Sequence, residues 1–160
     1  MKNLICIHFL FLVIIASSGF ENADRVSYYE ALAGQSEDKV DAEISKLDNA
    51  GETSLNNAYL GAMLMKKAVF LKGPAIKIKT FKKGAGMLEE EIKRNPDNTE
   101  YRFLRLSVQE HAPKILKYYR QLEEDRQAVV NGYGKLEPDL KKIIKNYSVS
   151  SGVIKSSDLK

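Results

Sequence analysis

Apolar residues recur at three- and four-residue spacing almost everywhere after residue 24, and strand-like alternation is nearly absent. The pattern predicts an all-α chain of about seven helices. The first runs from Asp24 to Ala33, with Asp24 as N-cap, Val26, Tyr29 and Leu32 inward and Gly34 as its stop. Ser36 caps the second, whose stripe is Val40, Ile44 and Leu47 and which ends near Asn49-Ala50-Gly51. Thr53 opens a third, apolar nearly all round and reaching Leu71. Pro74 suits the first turn of a fourth, whose stripe of Ala75, Ile78, Phe81, Ala85, Leu88 and Ile92 continues to Asn95-Pro96. The fifth begins at Asn98 and ends before Pro113, burying Tyr101, Leu104 and Val108 on one side and Phe103 and Leu106 on the other. The sixth spans Lys114 to Asn131, with Ile115, Tyr119, Leu122 and Val129 on one face. Glu137-Pro138 starts a short seventh carrying Leu140, Ile143, Ile144 and Tyr147.

Connections of a few residues make consecutive helices antiparallel neighbours. Pairing in order predicts three stacked hairpins and a seventh, C-terminal helix that caps the open end. A third helix that is apolar all round needs partners on two sides, which a stack supplies. The folded domain is expected over residues 20–147, and the Ser-rich residues 148–160 read as a tail.

Two stretches then resemble the tetratricopeptide repeat. Asn57-Ala-Tyr-Leu-Gly-Ala is similar to the first helix of that repeat, with Leu60-Gly61 in place of its Leu-Gly pair. Met87-Leu-Glu-Glu-Glu-Ile-Lys-Arg-Asn-Pro-Asp-Asn98 is similar to the end of its second helix and the turn that follows. A glycine at such a position lets the paired helix come close, and Pro96 stops one helix while the residues after it cap the next. The chain departs from the repeat at Glu91, where a small residue is usual, at Arg105-Leu106, where Leu-Gly is expected, and in the 35 residues from Gly61 to Pro96. The resemblance implies a tetratricopeptide-like helical-hairpin protein with lengthened hairpins. The whole chain is also similar to small exported helical proteins of Gram-negative bacteria.

Residues 1–19 have the layout of a cleaved secretory signal: Lys2, an apolar run from Leu4 to Ala16, then Ala16-Ser17-Ser18-Gly19. Thirteen helical residues span about 20 Å, short of a hydrocarbon core of about 30 Å. The expected compartment is periplasmic or secreted. Cys6 lies within this segment, so the rest of the chain holds no thiol.

With one Cys, two His (His8 and His111) and no Trp, the composition offers no disulfide framework and no Cys/His metal site. No cofactor, metal or catalytic set is expected. The net charge of +4 is unevenly placed. Residues 20–65 carry nine acids against three bases, whereas residues 66–88 hold seven lysines and no acid. A dipolar chain of this kind argues against nucleic acid as a partner.

Local candidates weigh toward structure. His111 beside Glu110 reads as a cationic residue at a helix C-terminus, and Glu89-Glu90-Glu91 as a solvated face, since consecutive helical residues point about 100° apart. Gly84 and Gly86 inside the fourth helix suggest close approach of a neighbour or a local break. Asn146-Tyr147-Ser148 matches a glycosylation sequon. Within a hairpin stack, Tyr59, Lys66, Arg102, Phe103, Arg105 and Gln109 would line a mixed aromatic and cationic groove for a peptide. The expectation is therefore an exported, non-enzymatic protein-interaction or scaffold module of the cell envelope. The alternative is an anionic membrane or polyanion surface met by the lysine-rich 66–83 segment, above all Lys77, Lys79, Lys82 and Lys83.

Overall fold

A computed structural model describes residues 22–160 and is all-α. The expected signal segment, with Cys6 and His8, lies outside the described residues. The chain forms α1 (Asn22–Ala33), α2 (Glu37–Asn49), α3 (Ser54–Lys67), α4 (Pro74–Arg94), α5 (Thr99–His111), α6 (Leu122–Gly132) and α7 (Pro138–Ser148). Three starts carry the caps read from the sequence: the side chains of Ser36, Thr53 and Asn98 accept from the amides of Lys39, Asn56 and Tyr101.

The α3–α4 hairpin is the tightest pairing, and its closeness has a local cause. A Cβ at Gly61 would sit 2.8 Å from the Gly84 carbonyl oxygen and 2.9 Å from the Leu88 nitrogen. Gly84 in turn faces the Gly61 carbonyl and the Met65 nitrogen. The two backbones touch where they cross. Gly86, two residues on, has nothing within 4 Å of such a Cβ, so only the first of the two helical glycines is a packing requirement.

Around this crossing α3 also meets α1, α2 and α5, and it buries Ala58, Tyr59, Ala62, Met63 and Met65. Tyr28 of α1 stacks on Tyr59 at 4.0 Å between ring centres and donates its hydroxyl to the Tyr59 carbonyl at 2.9 Å. Tyr29 packs on Phe103. Tyr28 is buried together with Tyr29, where the sequence pattern turned only Tyr29 inward. α6 returns along α5, and α7 turns back onto α1 and reaches Phe103 with the edge of Tyr147.

Three segments differ from the expectation. The third helix ends at Lys67, not Leu71: Val69 and Phe70 close short turns onto Lys66 and Lys67, and Gly73 then takes φ +87°. The sixth helix begins at Leu122, eight residues late. Pro113 leads into a single 3-10 turn over Lys114–Leu116, and Lys117 adopts the left-handed φ of 52°. Tyr118 anchors that detour, with its ring edge on Phe81 and its hydroxyl on Glu89 at 2.8 Å. In consequence Ile115 and Tyr119, expected inside, are 86% and 52% exposed.

The C-terminal residues are not a loose tail. Ile154 is fully buried, and Glu110 accepts from Tyr147, from Ser151 at 2.7 Å and from the Gly152 amide at 2.5 Å. Burial alone would raise the Glu110 carboxyl. The Tyr147, Ser151 and Gly152 bonds and nearby His111 bring it below its ordinary value.

Two outcomes are expected. Gly84→Ala costs about 1–3 kcal/mol in urea unfolding through overpacking, whereas Gly86→Ala stabilises by up to about 1 kcal/mol because glycine is a poor helix former. Glu110's contribution is complete above the ordinary glutamate value of 4.5 and declines as pH falls below it. Amide exchange at residues 151–154 should therefore quicken in acid, and Glu110→Gln should show the fast exchange at neutral pH.

Candidate docking surface

The groove residues expected from the sequence do not form a groove. Tyr59, Phe103, Arg105 and Gln109 are each less than 5% exposed, and Arg102 shows only 13% of its side chain. Helix α5 is enclosed by α3, α4 and α6, so its aromatic and cationic residues point into the body. Tyr59 donates to Glu100, which also takes Tyr29 and lies 3.2 Å from Arg25. Burial first, then the Glu100 charge, pushes the Tyr59 phenol far up.

Arg105 makes a two-pronged contact with Asp125 at 2.6 and 2.7 Å and reaches Glu89 at 2.6 Å. Burial alone would lower the guanidinium, and these carboxylates hold it above its ordinary value instead. Arg102 binds Glu124, Asp125 and the Pro96 carbonyl. Gln109 donates to Gln121, and Lys66 is half-buried, which lowers its ammonium. This polar set ties α5 to α4 and α6 and offers nothing to a visitor.

The acidic and imidazole candidates are likewise engaged. Glu89 serves Arg105 and Tyr118, and Glu91 is buried, accepting from Ser54, Asn57 and Arg94. Only Glu90 keeps the solvated position expected of all three. His111 is exposed, with Nδ1 3.0 Å from the Ser107 carbonyl, and its neighbour Glu110 holds the C-terminal segment. Among the described residues no group of His, Cys, Asp or Glu is placed to hold a metal ion, and no helix is long and apolar enough to cross a membrane.

A different surface emerges from a mismatch of lengths. α4 has 21 residues and α5 has 13, about 31 and 20 Å at 1.5 Å per residue. Joined by the short turn 95–98, α5 runs back along α4 and stops before covering its first turns. Ile76 and Ile78 there are 45% and 42% exposed. Residues 112–121 cross the gap only partly, and the result is a shallow apolar groove of about 360 Å³. Ile78, Phe81 and Ala85 form one side, Ile115, Leu116 and Tyr118 the other, and the exposed Lys82 its edge.

Among the described residues, five of the seven large exposed apolar side chains fall within residues 69–78 and 115–119 (Val69, Ile76, Ile78, Ile115 and Tyr119), so the exposure is local rather than scattered. Lys72, Lys79, Lys82, Lys83, Lys114, Lys117 and Arg120 are exposed around them, and among the described residues none is ion-paired. Lys67 is different, bound at 2.7 Å to both Glu37 and Asp41. Lys77 is half-buried and donates to the Val69 carbonyl. Residues 66–88 and 111–122 contain no acid, so cations dominate around Ile76, Ile78 and Ile115, and Glu37 and Asp41 of α2 enter this end only at Lys67.

The exposure of Lys79, Lys82 and Lys83 was legible as a run of one charge on the polar side of α4. Ile115 and Tyr119 were missed because a continuous helix would have turned them inward. The warning sign was Pro113 followed by two lysines and paired tyrosines in seven residues. No protein-family model, curated protein or solved structure matches the chain.

The buried ion pair has a sharp consequence. Asp125→Ala leaves Arg105 inside with its main partner removed and should cost about 3–5 kcal/mol by urea unfolding. Glu124→Ala, removing a carboxylate that is 62% exposed, should cost under about 1 kcal/mol.

Proposed function

We propose that this protein is an exported docking module of the cell envelope that seats its basic, apolar end on an anionic membrane surface. The observation that carries the reading is Ile115, 86% exposed on a turn between Lys114 and Lys117, beside the half-exposed Ile78 of α4. An apolar apex ringed by cations suits the boundary between acyl chains and anionic headgroups. Each lysine near such a surface contributes about 1 kcal/mol, and burying one large aliphatic side chain about 1.5–3 kcal/mol. Tyr119, half-exposed beside them, suits the headgroup layer.

The stacked-hairpin reading supports the same role. The close helix approach at Gly61 and the turn at Pro96 support reading the chain as a tetratricopeptide-like frame. A tetratricopeptide-like frame presents surfaces rather than a reaction cavity. The groups that chemistry would need, Glu110, Arg105 and Asp125, are engaged in holding the frame together. A protein partner at this end would have to be acidic and apolar, and it stands as an outcome of the test.

The chain should sediment with vesicles containing phosphatidylglycerol and stay in solution with purely zwitterionic vesicles. Raising salt should release it. Joint reversal of Lys79, Lys82 and Lys83 to Glu should abolish retention, and Ile115→Asp should weaken it about tenfold or more with an unchanged thermal melt. Equal retention on both vesicle types, or none on either, sinks the membrane reading. Salt-sensitive capture by an acidic envelope protein in place of vesicles would put a protein partner there.

A further inference from the structure

We infer that the groove between α4 and residues 112–118 takes a single acyl chain of an anionic lipid, with Lys82 at the headgroup. This deepens the membrane reading and rests on it for the source of the lipid. The groove lies at the centre of the exposed apolar end, and its walls are the aliphatic and aromatic faces of Ile78, Phe81, Ala85, Ile115 and Leu116. Tyr118 adds its ring and not its hydroxyl, which is already given to Glu89. Glu89 is itself shared with Arg105, so the carboxylate that Tyr118 reaches faces a cation inside the body, and no carboxylate lines the groove itself.

The ionisable side chains lining the groove are thus reduced to one available cation, Lys82. An entering peptide would bring backbone N–H and C=O groups that need partners, and burying them unpaired is costly. A hydrocarbon tail brings none. Its anionic head would lie among Lys82, Lys79 on the preceding turn and Lys114 of the facing segment, all exposed. The size of about 360 Å³ falls in the range of small-ligand sites. Docking by Ile115 and the lysines holds the protein on a bilayer; the groove would draw one chain out of the lipid plane.

The test uses the full chain as recovered from producing cells, with monomeric octanoate, decanoate and dodecanoate titrated well below micelle formation. Saturable one-to-one binding is expected, tightening about tenfold for every two methylenes until the tail outgrows the groove and the gain stops. Methyl resonances of Ile78, Ala85, Ile115 and Leu116 should shift together. Ala85→Leu, which narrows the groove from the α4 side, should weaken dodecanoate about tenfold or more while vesicle retention persists. Lys82→Glu, a surface change harmless to folding, should weaken dodecanoate but not dodecanol.

Vesicle retention without saturable dodecanoate binding overturns the inference and leaves the membrane reading intact. So does binding with no methyl shifts in the groove, or dodecanol held as tightly as dodecanoate. Dodecanoate bound in the groove by a chain that ignores every vesicle supports the groove assignment and overturns the membrane reading.

Discussion

Where α3 and α4 cross, backbone lies against backbone through Gly61 and Gly84, and most of the architecture is arranged around that contact. It fixes how far α4 stands from α3, and α3 in turn is touched by four other helices. Tyr59, Met63, Leu88 and Phe103 close the core at that separation, each almost fully buried. Close packing of this kind leaves little room for adjustment by a few tenths of an ångström.

The second constraint is electrostatic. α5 carries Glu100 and Arg105 inside the body, which is tolerable because each has a partner on another helix, and buried Gln109 donates to Gln121 at the start of α6. Arg105 with Asp125 joins α5 to α6, and Glu100 with Arg25 and Tyr59 joins it to α1 and α3. Such bonds specify one arrangement of helices more than they add net stability. They also settle why the charged residues of α5 are unavailable for recognition, while the lysines of α4 remain in water.

Much of the fold was legible because helix signals are local. Ser36, Thr53 and Asn98 announced their caps, Pro74 its first turn, and Gly61 its close neighbour. The site was legible only in part. Lys79, Lys82 and Lys83 stood out as a run of one charge, but the aromatic and cationic residues of α5 looked like a binding face when taken alone. Their burial depends on Asp125 and Glu89, sixteen or more residues away, and no local pattern announces such a pairing. Ile115 and Tyr119 were misplaced for a related reason. Their helical spacing was correct, but Tyr118 turns to Glu89 and Phe81, Lys117 takes a left-handed φ, and the helix starts only at Leu122.

Arg25 binds both Glu100 and Asp139, which places the beginning of α1 at the end of the body where α5 and α7 start. The projecting turns of α4 lie a full helix length away, about 30 Å. Arg25 and the exposed apolar turns of α4 therefore sit at opposite poles of the body. A label, bead or linker fixed near Arg25 would leave Ile78 and Ile115 facing away from it, with the length of α4 in between.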